Sequence, residues 1–261
     1  MLLIFPVFSF ILQSETNKKV NLVIDIGNTA AKIAVFEREN PIEVIRSSHE
    51  QLNQIDDLLK RYPIQRALLS TVVTLPQETE DYLAQLPIPL LRLTAQTPLP
   101  MKLCYKTPET LGPDRIAVCI EAAAVQPGHD LLVIDAGTCI TYEFVSSKGE
   151  YLGGNISPGL EMRLKALNQF TSKLPLVDPH GDVPMAGYNT ETAIRSGVIN
   201  GIRHEIEGYI HQLRAKKPNL LVFLTGGNIL NFDTNVKNGI FADELLLLKG
   251  LNRILNYNEN R

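Results

Sequence analysis

Short apolar runs alternate along this chain with segments in which apolar residues recur every three or four positions. Runs rich in Val, Ile and Leu that end at a turn signal predict buried strands. The longer spacing predicts helices, as in 51–62, where Ile55 and Leu59 share one face. The predicted strands are one that begins near residue 20, then 30–36, 42–47, 67–73, 90–93, 131–135, 140–145, one that begins at 151, and 220–224. The predicted helices are 51–62, 77–85, 116–125, 160–170, 190–213 and 243–255.

The order of these elements is repeated along the chain. In each part the strands come first, and helices and strands then alternate, which is typical of an α/β fold. A helix ends and a turn follows at Gln126-Pro127-Gly128-His129, after which the pattern starts again. We therefore predict two α/β halves, 20–126 and 127–261, preceded by an apolar N-terminal extension, 1–19.

One short motif occurs once in each predicted half, where its first strand ends. Val23-Ile24-Asp25-Ile26-Gly27-Asn28-Thr29 is matched by Val133-Ile134-Asp135-Ala136-Gly137-Thr138. Either aspartate alone could simply cap its turn, as is common for Asp-x-Gly. An ionised carboxylate at the end of a buried strand is costly unless a cation meets it, and the glycine lets the backbone approach a ligand. Because the contexts match, we favour two carboxylates that face each other across a cleft, with a phosphate and its cation between them.

A proline-rich segment, 97–113, is the next candidate for a site, because loops of this length are usually functional or disordered. It contains Tyr105 and leads into Gly112-Pro113-Asp114-Arg115, where a helix begins. Pro113 and Asp114 also suit a helix start for structural reasons alone, since the proline N–H is not needed there and the helix dipole favours an acid. Arg115 offers a planar fork for a carboxylate or phosphate, or for an ion pair with Glu109 or Glu121.

Two glycine-rich segments in the second half complete the candidates. The segment 153–159 is predicted as a loop before a helix, with backbone N–H groups that converge on an anion. Thr225-Gly226-Gly227 follows a buried strand, and its glycines would let an adenine or ribose lie flat on the backbone.

Composition narrows the class of protein. A chain of 261 residues that is 44% hydrophobic and 20% charged has an ordinary globular composition, and its net charge of −3 gives no basic surface for nucleic acid. Its three cysteines lack metal-ligand spacing, so we expect reduced thiols in a cytoplasmic protein. The apolar stretch 1–12 is too short to span a bilayer and lacks a positive flank, so we expect an upstream-start extension rather than a signal peptide or membrane anchor.

Taken together, the motifs resemble those of the actin-like ATPase superfamily and, more closely, of the type III pantothenate kinases. The resemblance covers nearly the whole chain from about Val20, and its specificity comes from the order and spacing of the motifs. The matching stretches are Asp25 to Lys32, Leu111 to Arg115, Asp135 to Thr138, Gly153 to Gly159, Asn189-Thr190 before Arg195-Ser196-Gly197, and Thr225 to Gly227. Pro113 stands where the family often has alanine, a difference that changes no functional group. The resemblance implies duplicated ribonuclease H-like halves, each a mixed five-stranded sheet with helices, and a nucleotide cleft between them.

The resemblance also implies roles for individual residues. Asp114 would accept the proton of the hydroxyl that receives the phosphoryl group, and Asp135 would hold a monovalent cation, K⁺ or NH₄⁺. The implied ATP-binding residues are Asp25, Ile26, Gly27, Asn28, Thr29, Ala30, Ala31, Lys32 and Thr138. The implied substrate-binding residues are Tyr105, Gly112, Pro113, Asp114, Arg115 and Thr190.

The expected reaction is therefore the phosphorylation of pantothenate to 4′-phosphopantothenate by ATP and Mg²⁺, the first step of coenzyme A biosynthesis. The family resemblance further implies a homodimer in which the partner subunit helps to close the substrate pocket. Two alternatives stay open at this point: a kinase of the same fold for another small hydroxyl or carboxylate substrate, and a non-catalytic regulatory relative of the transcription-accessory type. Asp25, Lys32, Asp114 and Asp135 argue against the second, because a purely regulatory descendant would be free to lose them.

Overall fold

The computed structural model describes residues 19–47, 52–227 and 239–259, which form two mixed β-sheets with helices on their faces. Of the predicted extension, only Lys19 lies inside the described residues. The strands are β1 Val20–Ile26, β2 Ala31–Glu37, β3 Asn40–Ser47, β4 Arg66–Thr71, β5 Leu90–Arg92, β6 Lys102–Leu103, β7 Leu131–Ala136, β8 Cys139–Val145, β9 Glu150–Pro158, β10 Leu221–Thr225 and β11 Ile240–Ala242. The helices are α1 Gln54–Arg61, α2 Gln77–Ala84, α3 Pro113–Val125, α4 Leu160–Gln169, α5 Thr190–Lys216 and α6 Leu246–Tyr257.

The two sheets have the same strand order. The first runs β3-β2-β1-β4-β5, and the second runs β9-β8-β7-β10-β11 with β6 added beside β9. In each sheet the first three strands are antiparallel, the fourth strand (β4 or β10) pairs in parallel with the central strand, and the fifth (β5 or β11) pairs in parallel with the fourth. This repeat confirms the predicted duplicated α/β architecture.

Burial follows from the position of each strand in its sheet. The central strand β1 is buried along its whole length, which explains its unbroken apolar sequence. The edge strand β3 alternates between exposed and partly buried positions, as expected where one face meets solvent. The hydrophobic pattern of a strand therefore indicates whether the strand lies at the centre or at the edge of its sheet.

Within 19–47, 52–227 and 239–259, apolar side chains form three clusters. One lies between the first sheet and helices α1 and α2, and a second lies between the second sheet and helices α4 and α5. The third lies between the two sheets and is built around α3 and α6, which cross closely at Gly250, where a Cβ would overlap the Ala117 carbonyl. The sheets are thus joined through a shared core.

The structure differs from the sequence prediction in three places. The segment Gly153 to Pro158 is not a loop but the second part of β9, where it pairs with β8. The short strand β6 was not predicted, and although it lies within 20–126 it pairs with β9 of the second sheet. The strand β11 was not predicted either. The boundary between 126 and 127 stays a prediction, since α3 and β6 both contact elements that follow it.

Among the described helices, none combines the length and the apolar character that a membrane span requires.

Candidate active site

A cavity of about 940 Å³ opens where the central hairpins of the two sheets face each other. Its walls come from both predicted halves and from the first turn of α3. Its lining residues include Asp25, Gly27, Asn28, Thr29, Ala30, Lys32, Gly112, Asp114, Arg115, Asp135, Gly137, Thr138, Thr141, Gly226 and Gly227.

Asp25 stands at the first hairpin, near the end of β1. It lies two residues after Val23, whose side chain is part of the core between the sheets, so the alternation of the strand directs the carboxylate to the same inner face. On β2 its direct cross-strand neighbour is Lys32, and on β4 it is Ser70, whose hydroxyl donates to Asp25 Oδ1 at 2.9 Å. Burial raises the pKa of Asp25 to about 6; the Ser70 bond and Lys32 oppose this rise, whereas Asp114 and Asp135 add to it.

Asp135 occupies the equivalent position on β7. Its neighbours are Thr141 on β8 and Thr225 on β10. Burial raises the pKa of Asp135 to about 6 as well. Lys32 opposes this rise, whereas the negative charges of Asp114 and Glu143 add to it. Lys32 and Asp114 act on both aspartates, so the carboxylates from the two hairpins belong to one electrostatic site.

The two hairpin turns touch across this cavity. Thr29 Oγ1 and Thr138 Oγ1 lie 3.0 Å apart, within hydrogen-bond distance. Behind the second turn, Gly226 has a φ of +106°, and a Cβ there would lie 2.6 Å from Asp135 Oδ1. A glycine is therefore required at this position for the end of β10 to pack against the Asp135 carboxylate.

Asp114 lies in the first turn of α3 and is partly buried at the cavity wall. Gly112 is the N-cap, and a Cβ on it would approach Asp114 Oδ1 to 2.5 Å. The glycine thus leaves room for the carboxylate beside the helix start. The sequence left open whether Asp114 only stabilises the helix; the structure adds that its side chain lines the same cavity as the two hairpin aspartates.

Arg115 forms an internal ion pair, but with neither of the acids that the sequence suggested. Its Nε and Nη2 bond Glu143 Oε1 and Oε2 at 2.6 and 2.9 Å, and Nη2 also lies 3.1 Å from the Tyr151 hydroxyl. Of the two readings that the sequence left open for Arg115, the internal ion pair is present, but its partner is Glu143 and not Glu109 or Glu121. Glu121 instead accepts a bond from Arg253 Nε on α6 at 2.9 Å.

Some of the residues implied by the resemblance do not line the cavity. The side chains of Ile26 and Ala31 are buried in the core under α1 and α2, so only their backbone can reach a ligand. Pro113 lines a separate, smaller pocket, and Tyr105 packs edge to face on Tyr151 with 5.9 Å between ring centroids. Thr190 is exposed at the start of α5.

Other cavity residues were missed at the sequence level. Thr141 faces the same side of the sheet as Asp135, and its Oγ1 is buried without a hydrogen-bond partner in the described part of the chain. One face of α4 forms a wall of the cavity. The residues on this face recur every three or four positions, a spacing that could have indicated a shared helix face from the sequence: Met162, Lys165, Ala166 and Gln169. Within the described residues, no group of three or more His, Cys, Asp or Glu side chains is arranged to hold a metal ion.

The family model and the similar sequences point to the same protein family. Residues 21–212 match the family model for type III pantothenate kinases. A type III pantothenate kinase from Bacteroides fragilis is 55% identical over 242 residues, which cover 93% of this chain and 100% of the relative. One from Phocaeicola vulgatus is 52% identical over 240 residues, which cover 92% of this chain and 99% of the relative.

Among solved structures, a conserved protein from Campylobacter jejuni assigned to the Baf family of transcriptional activators superposes with a TM-score of 0.60 at 23% identity. The match covers 92% of this chain and 100% of that one. A protein from Listeria monocytogenes described as an N-acetylmannosamine kinase gives a TM-score of 0.55 at 12% identity, with 92% and 100% covered. At these identities the two structures support the fold alone.

Proposed function

Because this chain belongs to the type III pantothenate kinase family, we propose that it transfers a phosphoryl group from ATP to the hydroxyl of pantothenate, the first step of coenzyme A biosynthesis. One observation carries the assignment: the duplicated hairpins bring Asp25 and Asp135 to a single cavity that Asp114 also lines. Phosphoryl transfer requires mainly positioning and charge neutralisation, which such a cavity can supply.

The first hairpin fits the phosphates of ATP. Its turn exposes Asn28 and Thr29, and Lys32 places an ammonium group on the same face as Asp25. The hydrogen bond to Asp25 comes from a neutral hydroxyl, so the buried carboxylate keeps a need for positive charge. Mg²⁺, which retains most of its water and takes few carboxylates, would neutralise phosphate charge when bound. We assign the backbone and hydroxyl groups of 25–32, together with Thr138, to the phosphates.

The second hairpin fits a monovalent cation. Asp135 supplies a carboxylate, and Thr141 Oγ1 supplies a buried oxygen that has no partner among the described residues. Oxygen donors of this kind suit K⁺ or NH₄⁺, and a positive charge here would offset the repulsion between the cavity carboxylates.

Asp114 is the proposed general base. A carboxylate within hydrogen-bond reach of the acceptor hydroxyl contributes a factor of roughly 10²–10⁴ to the rate. The first turn of α3 holds Asp114 on a rigid element, and Gly112 keeps the space beside it clear. Pantothenate would then lie between Asp114 and the segment that carries Tyr105.

The proposal includes a homodimer. Thr190 is exposed and does not line the cavity of its own chain, which agrees with a contribution to the pocket of a second copy. Large exposed apolar side chains lie on the stretch that leads to it: Phe170, Leu176, Met185 and Tyr188. Sedimentation of the intact chain tests this part of the proposal.

A coupled assay with ATP and pantothenate, in potassium or in sodium buffer, tests the function. We expect potassium-dependent turnover, and we expect Asp114→Asn to bind ATP normally while its turnover falls roughly 10²–10⁴-fold. The matched control is Glu109→Gln, which removes an exposed carboxylate from the same segment and should keep the normal rate.

Three results would contradict parts of this assignment. Turnover of a sugar or of acetate without turnover of pantothenate would show a different substrate. A near-normal rate in Asp114→Asn would make Asp114 a helix-start residue only. Equal rates in sodium and potassium would remove the cation role from Asp135.

A further inference from the structure

Glu143 is a fully buried carboxylate on β8 that the roles above do not use. It accepts two bonds from Arg115 and a third, at 2.6 Å, from the Tyr151 hydroxyl. Burial alone would lower the pKa of Arg115, yet the bonds to Glu143 raise it above its ordinary value, so the guanidinium keeps its charge. Both carboxylate oxygens of Glu143 therefore accept a bond from another member of this small network.

The backbone of β9 is shaped around this ion pair. A Cβ at Gly154 would overlap Glu143 Oε2 and would lie 2.6 Å from Arg115 Nη2. Gly154 is the residue of β9 paired directly with Glu143. A buried ion pair is weak evidence for stability, because well-packed apolar residues often serve as well, and its best-attested use is to fix one arrangement of the chain. The arrangement fixed here is that of the start of α3.

The network reaches the acceptor side of the proposed site through Arg115. Arg115 follows Asp114 directly in the first turn of α3, and its guanidinium carbon lies 6.0 Å from the centre of the Tyr105 ring. Tyr105 in turn packs on Tyr151, which donates to Glu143. Arg115 also lines the cavity, and a side-chain hydrogen bond with Tyr105 contributes to its raised pKa. Glu143 itself is not among the cavity residues.

From these contacts we propose that Glu143 is a positioning residue for the phosphoryl acceptor: it holds Arg115 in place at the cavity wall, and it thereby sets the place of Asp114 and Tyr105. This inference rests on the proposed function and names a determinant of acceptor binding within it. ATP should be less affected, because its proposed ligands lie on the turns of the two hairpins, whereas the bonds of Glu143 go to Arg115 and Tyr151.

The test compares Glu143→Gln with Glu121→Gln. Glu121 lies near the other end of the same helix and is also buried and paired with an arginine, so its loss is a matched structural control. For Glu143→Gln we expect the KM for pantothenate to rise at least tenfold and kcat to fall, with the KM for ATP within twofold of normal. For Glu121→Gln we expect both KM values to stay within twofold of normal.

A second pair keeps the test decisive if Glu143→Gln does not fold. Tyr151→Phe removes one donor to Glu143, and Tyr142→Phe removes the equivalent hydroxyl of another buried tyrosine, which bonds Glu205 at 2.8 Å. We expect the pantothenate KM to rise severalfold in Tyr151→Phe and to stay unchanged in Tyr142→Phe. In a mutant cycle, adding Glu143→Gln to Arg115→Met should change the pantothenate KM less than twofold further, since Glu143 acts through Arg115.

The inference is overturned if Glu143→Gln folds and keeps a normal pantothenate KM, or if Tyr151→Phe and Tyr142→Phe behave alike. It is also overturned if the effects of Glu143→Gln and Arg115→Met multiply independently. Absence of pantothenate turnover in the unmodified chain is a different result, which would refute the proposed function and this inference with it.

Discussion

Replacing Asp25 with asparagine should stabilise the ligand-free protein while impairing its activity. The pKa of Asp25 rises from an ordinary 3.8 to about 6, chiefly because the carboxylate is buried. At about 1.4 kcal/mol per pKa unit, keeping this group ionised costs the folded state about 3 kcal/mol at pH 8. Asparagine retains an oxygen that can accept the Ser70 hydrogen bond and removes that cost. The repulsion from Asp114 and Asp135 contributes to the shift and would adjust after the substitution, so 3 kcal/mol is roughly an upper bound.

The sign of the pH dependence follows from the raised pKa. Between about pH 4 and pH 6 the folded carboxyl binds a proton that the unfolded one releases, so the free energy of unfolding of the unmodified protein rises as the pH falls through this window. The advantage of Asp25→Asn should therefore be largest above pH 6, fall to about half at pH 5, and vanish below about pH 4.

Urea unfolding at pH 8 and pH 5, at one fixed protein concentration, measures both quantities. Asp57→Asn is the control, because Asp57 is an exposed acid, and its effect should stay within about 0.5 kcal/mol at either pH. The reasoning is refuted if Asp25→Asn is no more stable than the unmodified protein at pH 8, or if its advantage is the same at both pH values.

Burial raises the pKa of Asp135 to about 6, so a proton should compete with the cation for this carboxylate below that pH. The potassium concentration that gives half-maximal activity should therefore rise roughly tenfold per pH unit below pH 6. If that concentration stays constant between pH 5 and pH 8, Asp135 is not a ligand of the cation. Gly226→Ala should lower the free energy of unfolding by about 1–3 kcal/mol and weaken potassium activation, because the new Cβ would be strained at a φ of +106° and would press on Asp135 Oδ1. Gly227→Ala is its control for stability, since a Cβ there meets nothing within 4 Å among the described residues. Equal losses of stability in the two variants would contradict the steric argument.

The hairpins could be predicted from sequence because each depends on local signals. An apolar β-branched run, a single aspartate and a glycine follow one another within seven residues, and both runs are central strands in the structure. The helix start at Pro113 was marked in the same local way, by a proline followed by an acid. Tertiary packing agreed with these signals, so the elements formed where they were expected.

The partner of Arg115 could not be predicted in that way. Glu143 lies 28 positions along the chain from Arg115, and the two meet only because β8 and α3 share the core between the sheets. The glycines of 153–159 were misread for a related reason. A glycine normally signals a turn, but Gly154 lies inside a strand because its neighbours leave no room for a side chain. By contrast, Thr141 lies only six positions after Asp135, on the other strand of the same hairpin, so its place beside Asp135 could have been predicted from the hairpin register.

The crossed helices α3 and α6 have a consequence for how the molecule holds together. Helix α3, which follows the first sheet in the chain, packs against β7 and β8 of the second, whereas α6, which ends the second half, packs against β1 and β4 of the first. Each predicted half therefore contributes a helix that covers one face of the other half's sheet. Fragments cut between 126 and 127 would each expose an apolar sheet face that only the complementary fragment, or a second copy of a similar half, is shaped to cover. A half-length ancestor with this arrangement would have had to pair with itself before gene duplication joined the two copies into one chain.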